Sequence, residues 1–127
     1  MHTLDEATLD VFLGRFHHVY DGVVRRVTTD FEADSTTCEI AIDAQDAQSP
    51  SGWSRVELRA QGCSRFRFEV GRTTFEVLSS GIQVGWVEDQ VILFLDAYPD
   101  DEGLPDIRTN RGYVAGDRLL WSATAKQ

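Results

Sequence analysis

The chain has 127 residues, 42% of them hydrophobic and 26% charged, with a formal net charge of −9. That length suits a single domain spanning 1–127 that buries about two thirds of its unfolded surface, and no stretch approaches the roughly 20 apolar residues that cross a bilayer. The charge argues against nucleic acid as a partner, because phosphate contacts need concentrated cations, and is compatible with a basic protein partner or with solubility alone.

The first ten residues are acidic and lack a basic stretch followed by an apolar one, so no secretion signal is expected and a cytoplasmic location follows. Thr3-Leu4-Asp5-Glu6 fits a capping box, and Leu9, Phe12, Leu13 and Phe16 fall at the spacing of one helical stripe. Arg15, His17 and His18 close the segment with charges that suit a helix C-terminus, which predicts a helix over about 4–17. His17 and His18 are not read as a metal pair, since neighbours on a helix point about 100° apart.

Strands follow over about 20–125. Val23, Val27 and Phe31 alternate with polar residues, as do Cys38, Ile40, Ile42 and Ala44. A two-residue turn at Asp34-Ser35 brings Phe31 opposite Cys38 and Arg26 opposite Asp43, with Asp30 against Glu39 as a mild cost. Arg25 falls in the inward register of its strand, where a charge must be paired, lie near the sheet end or line a cavity. Tyr20 and Asp21 are its neighbours in sequence, so Tyr20, Asp21 and Arg25 are the candidate polar lining of any ligand pocket.

Gln45–Gly52 reads as a loop, and Trp53–Val70 as two alternating runs on either side of Gly62. Folding them as a hairpin sets Arg59 against Arg67 and Glu57 against Glu69, like against like. A bulge or bend near Gly62 is therefore expected instead. Arg55, Arg59, Arg65 and Arg67 share the wet face with Glu57 and Glu69. With Glu39 and Asp43 beside them, they read as a neutralised charge ladder rather than an anion site.

Thr73–Leu78 is another strand. Ile82, Val84 and Trp86 pair with Leu95, Leu93 and Val91 across Glu88-Asp89. The run Val91–Leu95 is apolar on both faces, which predicts a central strand whose second face, Ile92 and Phe94, receives the N-terminal helix. Asp96–Asp106 is an acidic loop without the spacing of a calcium site. Its Asp100, Asp101, Glu102 and Asp106 are the candidate contacts for a partner. Gly116-Asp117, between Val114-Ala115 and Arg118-Leu119, carries the signature of a two-residue hairpin.

Cys38 and Cys63 are the only cysteines and read as reduced thiols, without the spacing of a zinc site. No metal or other cofactor is expected. Neither Gly-x-Ser-x-Gly nor a phosphate loop is present, and no catalytic residue is assigned.

Arg15-Phe16-His17-His18, then Tyr20-Asp21-Gly22-Val23-Val24, Trp53-Ser-Arg-Val-Glu-Leu, the Gly62 break and Phe75-Glu-Val-Leu-Ser-Ser-Gly-Ile carry a resemblance. The chain resembles small, uncharacterised bacterial β-rich proteins whose first strand follows a Phe-His-Asp element, some of which look like immunity proteins of polymorphic-toxin loci. His18 stands where the Asp of that element would be, and Asp21 is a shifted substitute. The resemblance implies a binding role and supplies no catalytic residue.

The expected fold is α+β: an N-terminal helix on a curved antiparallel sheet of about seven or eight strands, barrel-like or sandwich. The expected function is that of a non-enzymatic bacterial protein-binding module, an immunity-type inhibitor. The alternative is a small-ligand carrier or sensor with an apolar cavity inside the curved sheet. A sheet edge offers a route to a homodimer.

Overall fold

A computed structural model describes residues 1–69, 76–96, 105, 110 and 112–127. Within them the chain runs β1 (His2–Leu4), α1 (Leu9–Arg15), β2 (Gly22–Phe31), β3 (Thr36–Gln45), β4 (Trp53–Gln61) and β5 (Arg65–Phe68). It continues through β6 (Glu76–Leu78), β7 (Ile82–Val87), β8 (Gln90–Leu95), β9 (Gly112–Gly116) and β10 (Arg118–Ala125). The α+β character and antiparallel pairing are as the pattern predicts, but not as one curved sheet of seven or eight strands. A six-stranded sheet, β1-β10-β4-β3-β2-β6, faces a four-stranded one, β5-β9-β8-β7, and neither closes into a barrel.

The two sheets share a contiguous core. Ile40, Ile42, Val56, Leu58 and Leu119 of the larger sheet meet Val84, Leu93 and Val114 of the smaller, and Phe12 and Phe16 of α1 join the same cluster. Alternation explains this: the even residues of β3 and β4 point inward, and the odd ones form the outer face.

The helix is shorter than the expected 4–17 and begins later. Residues 2–4 are extended instead, pairing His2 with Trp121 and Leu4 with Leu119 and burying Leu4. The capping box moves accordingly. Asp5 N–H donates to Thr8 Oγ1 at 3.0 Å and Thr8 N–H to Asp5 Oδ1 at 2.9 Å, so the reciprocal pair is Asp5 and Thr8 rather than Thr3 and Glu6. The stripe survives. Phe12 and Phe16 are buried edge-on to Trp121, while Leu9 and Leu13 are partly buried against the core. Ile92 and Phe94 do not receive it; they are buried in a separate cluster with Ala115 and Tyr113.

β2 and β3 pair, but through a loop of residues 32–35 closed by Glu32 N–H to Ser35 O at 2.9 Å. Phe31 thus opposes Thr36, and Asp30 meets Thr37 rather than Glu39, which avoids the like-charge contact of the shorter turn. A register shift between Val24 and Arg26 makes Arg25 a bulge residue and takes it out of the inward register.

The bend at Gly62 is real. β4 lies between β3 and β10 in the larger sheet, whereas β5 pairs with β9 in the smaller. Gly62 has φ +61°, a conformation that favours glycine. Phe66 at the far end remains 40% exposed, less buried than its inward register suggests. Gly116-Asp117 is not a hairpin: β9 and β10 belong to different sheets, and Asp117 N–H bonds Gln61 O at 2.8 Å. The two crossings between sheets therefore lie against each other. The β7–β8 hairpin has the predicted register, Ile82 with Leu95 and Trp86 with Val91, and all of Val91–Leu95 is buried. Of the strand expected at 73–78, residues 73–75 lie outside the described residues.

The 46–52 loop is organised by Asp46, a buried carboxylate. Arg15 donates to it at 2.9 and 3.1 Å, the Ser54 hydroxyl at 2.5 Å and Gln48 N–H at 2.9 Å. Burial by itself pushes this carboxyl up, but the bonds from Arg15, Ser54 and Gln48 outweigh it and hold the pKa down to about 2. A depressed folded-state pKa stabilises fully above the unfolded value near ~3.9 and loses that contribution as pH falls through the folded one. Stability is thus expected to drop by about 2 kcal/mol between roughly pH 4 and pH 2 on account of Asp46. Urea unfolding across that range should show a visibly shallower decline in Asp46→Asn than in the wild type. Cys38 and Cys63 are both free thiols, and burial pushes Cys38 up to about 11.

Candidate functional site

The chain leaves α1 by an unusual route. Val19 N–H bonds Phe16 O at 2.8 Å and Tyr20 N–H bonds His17 O at 3.1 Å, forming one tight turn. In that turn His17, His18 and Val19 all have positive φ, 52°, 57° and 58°, and Asp21 follows at 60°. The left-handed region costs about 1–2 kcal/mol per residue for L amino acids, and a β-branched residue such as Val19 is an outlier there. The surroundings hold the turn in place. The Val19 side chain is fully buried, Asp21 N–H bonds Leu78 O at 2.9 Å, and Gly81 sits directly against the His18 carbonyl.

This turn forms one wall of a cleft of about 220 Å³. Leu9 and Leu13 of α1 and Ile82 and Val84 of β7 supply apolar surface, and His18, Tyr20, Ser80 and Gln83 supply polar groups. The His18 and Tyr20 rings stack at 5.4 Å between centroids, so the cleft presents an aromatic surface beside hydrogen-bonding side chains. Gln83 Oε1 is buried with no hydrogen-bond partner among the described residues. An orphaned buried acceptor costs about 1–3 kcal/mol. Gln83→Leu keeps the bulk and removes the orphan. It is expected to raise stability by about 1 kcal/mol, read as a higher urea midpoint at unchanged m-value.

A second constellation lies on the outer face of the larger sheet. Asp43 is 3% exposed, opposite Arg55 on β4 and Val23 on β2. Arg55 Nε donates to its Oδ1 at 2.5 Å, and Arg25 Nε and Lys126 Nζ to its Oδ2 at 2.7 and 2.8 Å. Burial pushes the Asp43 carboxyl up, yet the bonds from Arg55, Lys126 and Arg25 hold it well below the usual carboxylate range. Further along the same face Arg59 pairs with Glu39 at 3.2 Å, and beyond the bend Arg67 pairs with Glu69. The ladder of alternating charge is therefore present, but at Asp43 three cations meet one carboxylate.

Of the sequence-derived candidates, Tyr20 lines the cleft and Arg25 belongs to the Asp43 cluster. Asp21 donates its backbone N–H to Leu78 O, so the three do not converge on one pocket. Asp100, Asp101, Glu102 and Asp106 lie outside the described residues. Gln83, Ser80 and Lys126 were not anticipated. Lys126, the sole lysine, sits just past a strand whose partner was misread, and Gln83 follows the pattern of an ordinary polar strand position. No described helix is long and apolar enough to cross a membrane. Compared with family models, curated proteins and solved structures, the chain finds no match.

Proposed function

We propose that this chain is a non-enzymatic protein-binding module, of the immunity-inhibitor kind that it resembles, and that the cleft beside Tyr20 anchors a side chain of a basic partner. The strained His17–Val19 turn forming the cleft wall carries the reading. Strain of this type persists only where the surrounding structure over-determines it, and it clusters at binding and switch sites. Size favours a side chain over a whole small molecule, because about 220 Å³ falls short of the ~300–1,000 Å³ of pockets for drug-sized ligands. The stacked His18 and Tyr20 rings suit a guanidinium or ammonium group, and a net charge of −9 steers cationic partners towards the surface. The carrier alternative places its ligand inside the sheet. That space is occupied by Ile40, Ile42, Leu58, Leu93 and Val114, all fully buried.

The test is capture of the partner from the host lysate, its purification, and calorimetric titration against wild type and Tyr20→Ala. Truncating an anchor residue is expected to weaken binding by about tenfold to a hundredfold. Equal affinity for the two proteins, with Tyr20→Ala folded, rejects the cleft as the contact.

A further inference from the structure

We infer that, given the reading of the Tyr20 cleft as an anchor for a cationic side chain of a partner, that side chain is an arginine and Gln83 is the residue that selects it over lysine. Three features of the cleft favour a guanidinium. The first is an acceptor in need of a donor. Gln83 lines the cleft, and its Oε1 is buried without a hydrogen-bond partner among the described residues. Such an atom costs stability until a donor reaches it, so a ligand that brings an N–H recovers that cost on binding. The last side-chain torsion of glutamine is broad, which lets the amide turn its oxygen towards a donor in the cleft at little expense. Ser80 lines the same cleft and offers a hydroxyl as a second acceptor, its backbone held by Ser80 N–H donating to Asp96 Oδ1 at 2.8 Å. A guanidinium carries five N–H donors in a rigid plane and can serve separate acceptors at once.

The second feature is a lining without a counter-charge. Leu9, Leu13, Ile82 and Val84 form the apolar walls, and no aspartate or glutamate is among the described lining residues. A lysine ammonium is compact and strongly hydrated, so entering such a cleft strips its water without supplying an ion pair. A guanidinium is more weakly hydrated and loses less. The third feature is the ring pair. His18 and Tyr20 stack on each other and Tyr20 is 42% exposed, which leaves ring surface open to a ligand. A Cβ added at Gly81 would lie 3.1 Å from Tyr20 Cδ1, so the backbone there packs against the ring and presets its plane. A planar cation stacks on such a face, whereas an ammonium meets it only as a point charge. Gln83 is thus a polar residue kept at a cost: Gln83→Leu gains stability and gives up the choice of ligand.

The experiment is NMR titration of wild type and Gln83→Leu with two capped amino acids of equal charge, N-acetyl-arginine amide and N-acetyl-lysine amide, at one pH and ionic strength. The arginine probe is expected to give a saturable shift with a Kd on the order of millimolar, about tenfold tighter than the lysine probe. In Gln83→Leu the arginine affinity should fall about tenfold while the lysine affinity stays as it was, which erases the preference. A purely structural role for Gln83 would move both probes together. Equal binding of the two probes to wild type, no saturable arginine shift, or a preference intact in Gln83→Leu overturns the assignment. Titration of the purified partner separates this result from the broader reading: an affinity that falls in Tyr20→Ala but not in Gln83→Leu keeps the cleft as the anchor and removes Gln83 as the residue that selects arginine.

Discussion

Asp43→Ala is expected to lower the unfolding free energy by about 3 kcal/mol, measured by urea denaturation near neutral pH. Removing one partner of a buried ion pair costs about 3–5 kcal/mol, because the opposite charge is left uncompensated. Here three cations lose their shared carboxylate, but each is exposed enough for water to solvate it in part, which places the loss at the lower end. The reverse deletions should be milder. Arg25→Gln or Lys126→Gln leaves Asp43 with two cationic donors, and a change of under about 1 kcal/mol is expected for either. A large loss for the carboxylate and small losses for its partners is the signature of one anion holding several cations. Comparable losses all round would contradict it.

The second large effect is at Gly81. Its φ of +70° already disfavours any other residue, and a Cβ there would lie under 3.0 Å from the His18 carbonyl oxygen. That oxygen belongs to the backbone of a turn held by hydrogen bonds on both sides and cannot step aside cheaply. Gly81→Ala is expected to destabilise by about 3 kcal/mol or more. Gly52 provides the control: its φ is +82°, but nothing lies within 4 Å of its Cβ position. Gly52→Ala should therefore cost only the conformational part, about 1 kcal/mol. The difference between the two, read from denaturation midpoints, isolates the steric lock between Gly81 and the strained turn. Equal costs would show that the lock contributes nothing.

What the sequence disclosed follows from how local each determinant is. The β7–β8 hairpin was readable because its apolar residues and its Glu88-Asp89 turn specify one register without outside help. The Gly62 bend was readable from electrostatics, since a straight hairpin would have stacked Arg59 on Arg67 and Glu57 on Glu69. Other features depend on distant partners. Gly116-Asp117 has the composition of a tight turn, and composition cannot distinguish a hairpin from a passage between sheets. That choice is made by Gln61, whose carbonyl takes the Asp117 N–H. Thr3 and Glu6 carry the residues of a helix start, but pairing with β10 keeps Leu4 extended, and tertiary contacts override a weak local preference.

The candidate sites were legible only in fragments. Tyr20 and Arg25 were picked out as neighbours in sequence, and the intervening turn and bulge send them to different places. No propensity places Val19 in a left-handed conformation, so the wall of the cleft could not be foreseen. Asp43 was expected to oppose Arg26, but the bulge sets Arg26 against Ala41 and leaves Val23 and Arg55 as the residues opposite Asp43. That Lys126 would arrive at the same carboxylate depended on β10 lying beside β4, the pairing the hairpin reading had hidden.

The neighbourhood of β4 and β10 also sets the order in which the molecule can be made. β4 is synthesised well before residues 118–125, which among the described residues cover one of its edges, and β1 must wait for the same strand. Until the ribosome has released that stretch, β4 carries an open row of amide and carbonyl groups, and Trp121 is missing from the ring cluster that seats α1. Such non-local closure places refolding on the order of milliseconds to seconds rather than microseconds. It also makes the nascent chain most prone to sticking just before β10 emerges.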